Sequence, residues 1–174
     1  MNRSVLLFSL LLLISLLGCR PAAPTQDEMV ARGAYLVTVG GCNDCHSPKS
    51  NLATAEPDKT RLLSGRPTTA NPPAKPAQGE ISVSGDLTAW WGPWGASYAA
   101  NLTPDRETGI GARYDEAKFI QAMRTGKKPE GEPLLPPMPW PSYAKMTDAD
   151  LKAVYAYLSS LPPIKNNVRE AAPQ

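Results

Sequence analysis

Hydrophobic positions recur with helical spacing in three stretches of this 174-residue chain and lose that spacing between them. The first runs from about Gln26 to Val39, where Val30, Gly33, Ala34 and Val37 make one apolar stripe. Thr25 and Glu28 have capping-box spacing ahead of it, and Gly40-Gly41 stops it. With no side chain at Gly33, the stripe predicts a close helix crossing. The second runs from about Glu116 to Arg124, with Asp115 as cap, Phe119, Ile120 and Met123 on one face, and Gly126 as terminator. The third is the most regular. Thr147 caps it, Asp150 stands where it can return the cap, and Met146 and Leu151 have the spacing of a hydrophobic staple. Leu151, Val154, Tyr155, Leu158 and Leu161 follow the i, i+3, i+4, i+7 rule until Pro162-Pro163 ends the helix.

From His46 to Asp115 the chain is rich in Pro, Gly, Ser and Thr, and only Ile81-Ser82-Val83-Ser84 alternates as a short strand or hairpin would. The predicted fold class is therefore all-α, a small helical domain with a long irregular Trp/Pro-rich insert. A loop of that length needs something to order it.

The N-terminus has its own pattern. Arg3 precedes an almost unbroken apolar run, Val5 to Leu17, of thirteen residues. A membrane-spanning helix takes ~20, so the run reads as the core of an export signal. It closes in Leu16-Leu17-Gly18-Cys19, which resembles the bacterial lipobox. That likeness implies acylation of Cys19 and cleavage before it; an uncleaved anchor with a free Cys19 is the alternative. Several acyl chains would hold the protein firmly to a membrane. Arg20 rather than Asp follows the cysteine, favouring the outer membrane of a two-membrane host. The expected division is 1–18 signal, 19–26 Pro/Ala tether reaching about 20 Å, 27–165 one compact domain, and 166–174 a flexible tail. The net charge of +2, falling to about +1 without Arg3, gives no reason to expect nucleic acid as a partner.

Chemistry concentrates in Cys42-Asn43-Asp44-Cys45-His46. C-x-x-C-H is the attachment signature of c-type haem. Two thiols three positions apart lie on one side of a helical turn, where they can form thioethers with the porphyrin vinyl groups. The histidine that follows can bind the iron, and it is the only histidine in the chain. A zinc knuckle would need a second Cys or His pair, and a thioredoxin-like dithiol would need a βαβ setting; neither pattern is present. One such motif predicts one haem, and that flat apolar group offers the irregular insert a surface to wrap.

The opposite axial position then falls to a methionine, which raises the potential. Of five, Met1 leaves with the signal, Met29 sits in the first turn of the first helix, Met123 belongs to a core face and Met146 to a staple. Met138 remains, in Leu134-Leu135-Pro136-Pro137-Met138-Pro139-Trp140. Three prolines stiffen that loop and remove backbone donors, so it can present sulfur without joining a helix or sheet.

These segments together resemble the class I cytochromes c, and more narrowly the exported monohaem cytochromes and cytochrome subunits that accompany bacterial periplasmic dehydrogenases. The likeness rests on Gly40 to His46, Asn101 to Gly111 (Asn-Leu-Thr-Pro-Asp-Arg-Glu-Thr-Gly-Ile-Gly), Leu135 to Trp140, Thr147 to Leu151 and Tyr155 to Leu158, and covers about residues 30 to 165. It implies that the first and last helices cross beside the haem, with Gly33 against the Tyr155 or Leu158 side. It also implies that Asn101 and Thr103 lie near the haem edge, bonding a propionate. The separation of 92 in residue number from His46 to Met138 exceeds what a minimal class I domain needs. The excess holds Trp90, Trp91, Trp94 and Tyr98, which read as pocket packing in preference to a docking patch. Lys127-Lys128 suit the C-terminal end of a helix dipole.

The sequence therefore predicts a non-enzymatic electron carrier, anchored by lipid on the periplasmic side of a bacterial membrane, with His46 and Met138 on the iron. Its expected partners are redox proteins: a dehydrogenase, an oxidase or another cytochrome. Three alternatives stay open: a peroxidase or gas sensor whose Met138 side is labile, a docking lipoprotein, and a fixed subunit of one dehydrogenase.

Overall fold

The structure, a computed structural model, describes residues 22–168. The signal segment, Cys19 and the start of the tether lie outside the described residues. In chain order the described helices are α1 (Gln26–Val39), α2 (Cys42–His46), α3 (Glu116–Thr125), α4 (Trp140–Tyr143) and α5 (Asp148–Ser160). Short 3-10 turns form at Lys59–Arg61 and Ile110–Ala112. The strands are β1 (Lys49–Asn51), β2 (Glu56–Pro57), β3 (Ser82–Val83), β4 (Ala89–Gly92) and β5 (Gly95–Tyr98).

The all-α expectation is wrong. Two antiparallel sheets, β1-β2 and β3-β4-β5, make this a mixed α and β domain. The physical reason lies in the insert's own residues. Ser82 and Val83 pair with Trp91 and Trp90, so the alternating stretch found a partner in the tryptophan segment. That segment folds on itself, Ala89 to Gly92 against Gly95 to Tyr98, around Pro93-Trp94, with Gly95 at φ +90°. Aromatic cross-strand neighbours favour such pairing. Short strands this irregular carry almost no period-2 signal, which is why the sequence hid them.

The predicted helices form, with shifts at their edges. Thr25 and Glu28 close the capping box of α1 in both directions. Asp115 accepts from Lys118 N, and α3 runs one residue further than expected to Thr125 before Gly126 turns left-handed. Thr147 caps α5 by accepting from Asp150 N, but the Asp150 carboxylate does not return the cap. It pairs instead with Arg32 of α1 at 3.0 Å, tying the two helices together.

α1 and α5 cross at Gly33. A Cβ built there would lie 2.0 Å from Ala153 O and 2.6 Å from Tyr157 Cβ, so only glycine permits this approach. The contact row is thus Ala153 and Tyr157, not the Tyr155 or Leu158 side. Tyr155 turns to α3, its ring 5.6 Å from that of Phe119 and its hydroxyl on Tyr114 O. The core is Val37, Leu63, Ile110, Phe119, Val154 and Leu158, with Met123 and Met146 packed against it. Leu63 reaches that core with φ +57°, a left-handed backbone that ordinary residues adopt at a cost of roughly 1–2 kcal/mol. Ser47 Oγ accepts its N–H and Leu102 N donates to its carbonyl, which holds it there.

The insert is ordered by its own polar side chains. Ser84 Oγ accepts from Ala89 N, Asp86 accepts from Thr88, and Thr88 O receives Ala99 N. Past α5, the Asn166 amide donates to Ser64 O and Arg66 O. Lys128 pairs with Glu132 at 2.8 Å in the turn after α3. Among the described residues no helix is long and apolar enough to cross a membrane.

Gly33→Ala tests the crossing. Overpacking against a backbone carbonyl costs up to about 3 kcal/mol, and better helix propensity returns about 1, so unfolding should become easier by about 2 kcal/mol. A denaturant midpoint equal to that of the parent protein would contradict the contact.

Candidate functional site

Two glycines turn the chain from α1 into α2. Gly40 N closes the first helix on Leu36 O, and Gly41, at φ +67°, starts the second. The single turn of α2 places Cys42 and Cys45 on one side, as free thiols. Cys42 leans on the core, and burial pushes its thiol pKa up to about 11, with Asp44 and Cys45 adding to the rise. Burial raises Cys45 as well, against the opposing charge of Lys49.

His46 ends this turn. Its Nδ1 lies 2.8 Å from Ala100 O, and because a carbonyl only accepts, the ring proton sits on Nδ1. The lone pair is left on Nε2, the arrangement in which an imidazole binds a metal while its other nitrogen is held. Burial pushes its pKa down, opposed by the Ala100 carbonyl, so the neutral, ligating form is favoured.

The end of α2 is heavily tied. Lys49 Nζ donates to Asn43 O and Ser47 O at 2.6 and 3.0 Å, capping carbonyls that the helix leaves open. Gly65 N donates to His46 O. The buried Ser47 hydroxyl donates to Asn43 Oδ1 and accepts Leu63 N. Across from these, Tyr143 of α4 donates to Gly40 O at 2.6 Å. Burial pushes that phenol up to about 12, with the two nearby cysteines and Asp44 contributing.

Met138 is half-buried, five residues before Tyr143. Its loop is pinned ahead of it: Leu134 N donates to Gly126 O, and Ser97 Oγ to Pro136 O at 2.6 Å. Trp140 of α4 packs its ring on Gly126. The structure thus brings the stretch carrying Met138, through α4, to the glycine pair that precedes Cys42.

Asn101 and Thr103, which the resemblance puts at the haem edge, also bind a distant part of the chain. Both are buried, and their hydrogen bonds close within the protein. Asn101 Oδ1 accepts Thr103 N and Oγ1, and its Nδ2 donates to Thr108 Oγ1 and Ile164 O. Thr103 Oγ1 also accepts Ile164 N. The hydrogen-bonding positions of the Asn101 side chain are thus engaged within the protein. Gly109 and Gly111 sit where a Cβ would meet Thr103 O and Pro104 O, so the whole Asn101–Gly111 motif is a compact latch on the segment after α5.

Sequence reasoning missed Ala100, Lys49, Ser47 and Tyr143. A backbone carbonyl leaves no trace in residue type. Lys49, just past a helix that ends on His46, could have been found from the preference for cations at helix C-termini.

The donors fit a covalently attached porphyrin: two free thiols side by side, and beside them an imidazole with its outer nitrogen engaged. No protein-family model matches the chain. Among curated proteins it is 35% identical over 132 residues to the cytochrome c subunit of gluconate 2-dehydrogenase from Pantoea cypripedii, covering 76% of this chain and 23% of that one. It is 47% identical over 137 residues to one of the nicotinate dehydrogenase subunits of Pseudomonas putida, covering 79% and 9%. Against the cytochrome c subunit of the quinone alcohol dehydrogenase of Gluconacetobacter polyoxogenes it is 32% identical over 146 residues, covering 82% and 25%. The chain spans about a quarter or less of the length of these relatives. It is a cytochrome c-like protein, and the attachment motif and these likenesses together give covalently bound haem c as its cofactor.

Asn101→Ala separates a latch from a cofactor contact. Stranding the Thr103 N–H and the Ile164 carbonyl should lower stability by about 3 kcal/mol, seen in thermal or denaturant unfolding. The midpoint potential should not move; a large shift with stability intact would restore the propionate role.

Proposed function

We propose that the chain is a monohaem electron-transfer cytochrome that works with a membrane-associated dehydrogenase. Haem c, when bound, supplies a one-electron Fe(III)/Fe(II) couple. Cys42 and Cys45 anchor it through thioethers, which suits a cofactor that must not be lost outside the cytoplasm. His46 would hold the iron through Nε2, the nitrogen left free when Ala100 O fixes the other side of the ring. Met138 would supply a second ligand from the stiff Pro-rich loop. Two protein ligands in both oxidation states leave little room for substrate at the metal and little reorganisation on electron transfer, and the thioether stabilises the reduced state.

The observation that carries this reading is the tethered imidazole beside two free thiols at 2.8 Å from a backbone acceptor. The kinship of the chain with cytochrome subunits of dehydrogenases supports a partner of that class, either as a fixed subunit or as a shuttle. Export and lipid attachment at Cys19, with residues 20–26 as tether, are part of the same proposal and rest on the sequence of the N-terminus.

Two measurements check it. Met138→Ala should abolish the far-red sulfur-to-iron absorption of the oxidised protein and lower its midpoint potential, while haem staining on denaturing gels persists; an unchanged band and potential would remove Met138 from the iron. Cys19→Ser should end incorporation of labelled palmitate and release the protein from the membrane fraction. Retention of label by the variant would contradict lipidation there.

A further inference from the structure

The tryptophan-rich hairpin is the part of the molecule for which the proposed function gives no task. β5 and the residues just after it answer this through two contacts. Ser97, buried at 7% exposure, donates its hydroxyl to Pro136 O at 2.6 Å, two residues from Met138. Three residues on, Ala100 O receives the His46 ring at 2.8 Å. One short stretch of chain therefore touches both the helical turn and the loop from which the iron ligands are proposed to come.

That stretch is built to be rigid. β5 pairs with β4 from Ala89↔Tyr98 to Gly92↔Gly95. Beyond the sheet, Ala99 N donates to Thr88 O and Ala99 O accepts Arg66 N. The Tyr98 ring carries the buried Arg66 guanidinium 4.8 Å from its centroid. Ser97 itself is aimed: its oxygen accepts Trp94 Nε1–H at 3.3 Å, so its proton is directed at Pro136 O. The Trp94 indole can lie in that position because Gly92 has no Cβ, which would stand 2.6 Å from the ring.

We propose that the β4-β5 hairpin is a strut that sets the position of the Met138 loop relative to His46, with Ser97 as the positioning residue on the methionine side and Ala100 O on the histidine side. This rests on the His46/Met138 reading above. A proline-rich loop has few backbone donors with which to anchor itself, so an outside donor such as Ser97 is what fixes its carbonyl. Without that bond the loop can swing and the thioether loses its pre-organised approach, making displacement by another ligand easier.

The test uses the full-length, haem-loaded protein with imidazole as the competing probe. Ser97→Ala should let imidazole replace the sulfur in the oxidised protein at about five- to tenfold lower concentration, the equivalent of one lost hydrogen bond, followed by loss of the far-red band. Thr25→Ala, which softens the protein at the N-cap of α1, should leave imidazole affinity within about twofold of the parent. Equal imidazole affinity for Ser97→Ala and the parent overturns the strut, as does equal weakening by Thr25→Ala. Met138→Ala separates the two layers: if it keeps the far-red band, the ligand assignment fails whatever Ser97 does.

Discussion

Where α1 meets α5, the absent side chain of Gly33 brings two backbones closer than any other residue would allow, and the placement of the attachment motif follows from that contact. α1 ends only two glycines before Cys42, so its angle against α5 fixes where the next helical turn begins. The Arg32–Asp150 pair reinforces the same crossing from the exposed side, where such pairs contribute little alone, typically under ~1 kcal/mol. Val37, on the α1 stripe with Gly33, then packs into the core beside Leu158. Direction is what this interface provides: a crossing held by backbone contact cannot rotate as freely as one cushioned by long side chains.

The second constraint is the accounting of polar groups in a chain with so little regular structure. Backbone donors and acceptors removed from water must find partners, and between His46 and Asp115 few find them in ladders. Ser47, Ser84, Thr88, Asn101, Thr103 and Asn166 supply them instead, all buried and all bonded. The Ser and Thr content that reads as a loop signature in one dimension is, in three, the set of partners that lets the loop be ordered. The Asn101–Gly111 latch is the clearest case. Its residues look like a ligand motif because they are polar and regularly placed, yet their bonds close inside the protein.

Under the proposed function these two constraints meet at the cofactor. The helix pair delivers the thiols and the imidazole; the insert delivers the carbonyl that orients the imidazole and the hydroxyl that holds the Pro-rich loop. An electron carrier benefits from ligands that do not move when the iron changes charge, and a site tied to both a helix crossing and a sheet satisfies that need. Tyr143 adds a direct bond between the helix following Met138 and the turn preceding Cys42.

The helices, their caps and the attachment motif were legible in the linear chain because each depends on residues within a turn or two of one another. Thr25 with Glu28, Asp115 with Lys118 and Gly126 beyond α3 are local arrangements, and the spacing of Cys42, Cys45 and His46 is local too. What the chain alone did not reveal is every feature decided by contact at long range: the all-α expectation failed at strands only two to four residues long, Asp150 chose Arg32 over its own helix, and Ala153 with Tyr157 took the crossing from Tyr155. The bonds of Asn101 and Thr103 to Ile164 belong here too, since only the folded chain brings that residue to them. Short-range order is set by the backbone geometry of neighbouring residues, whereas partner choice among distant groups is settled by which of them packing brings within hydrogen-bond reach.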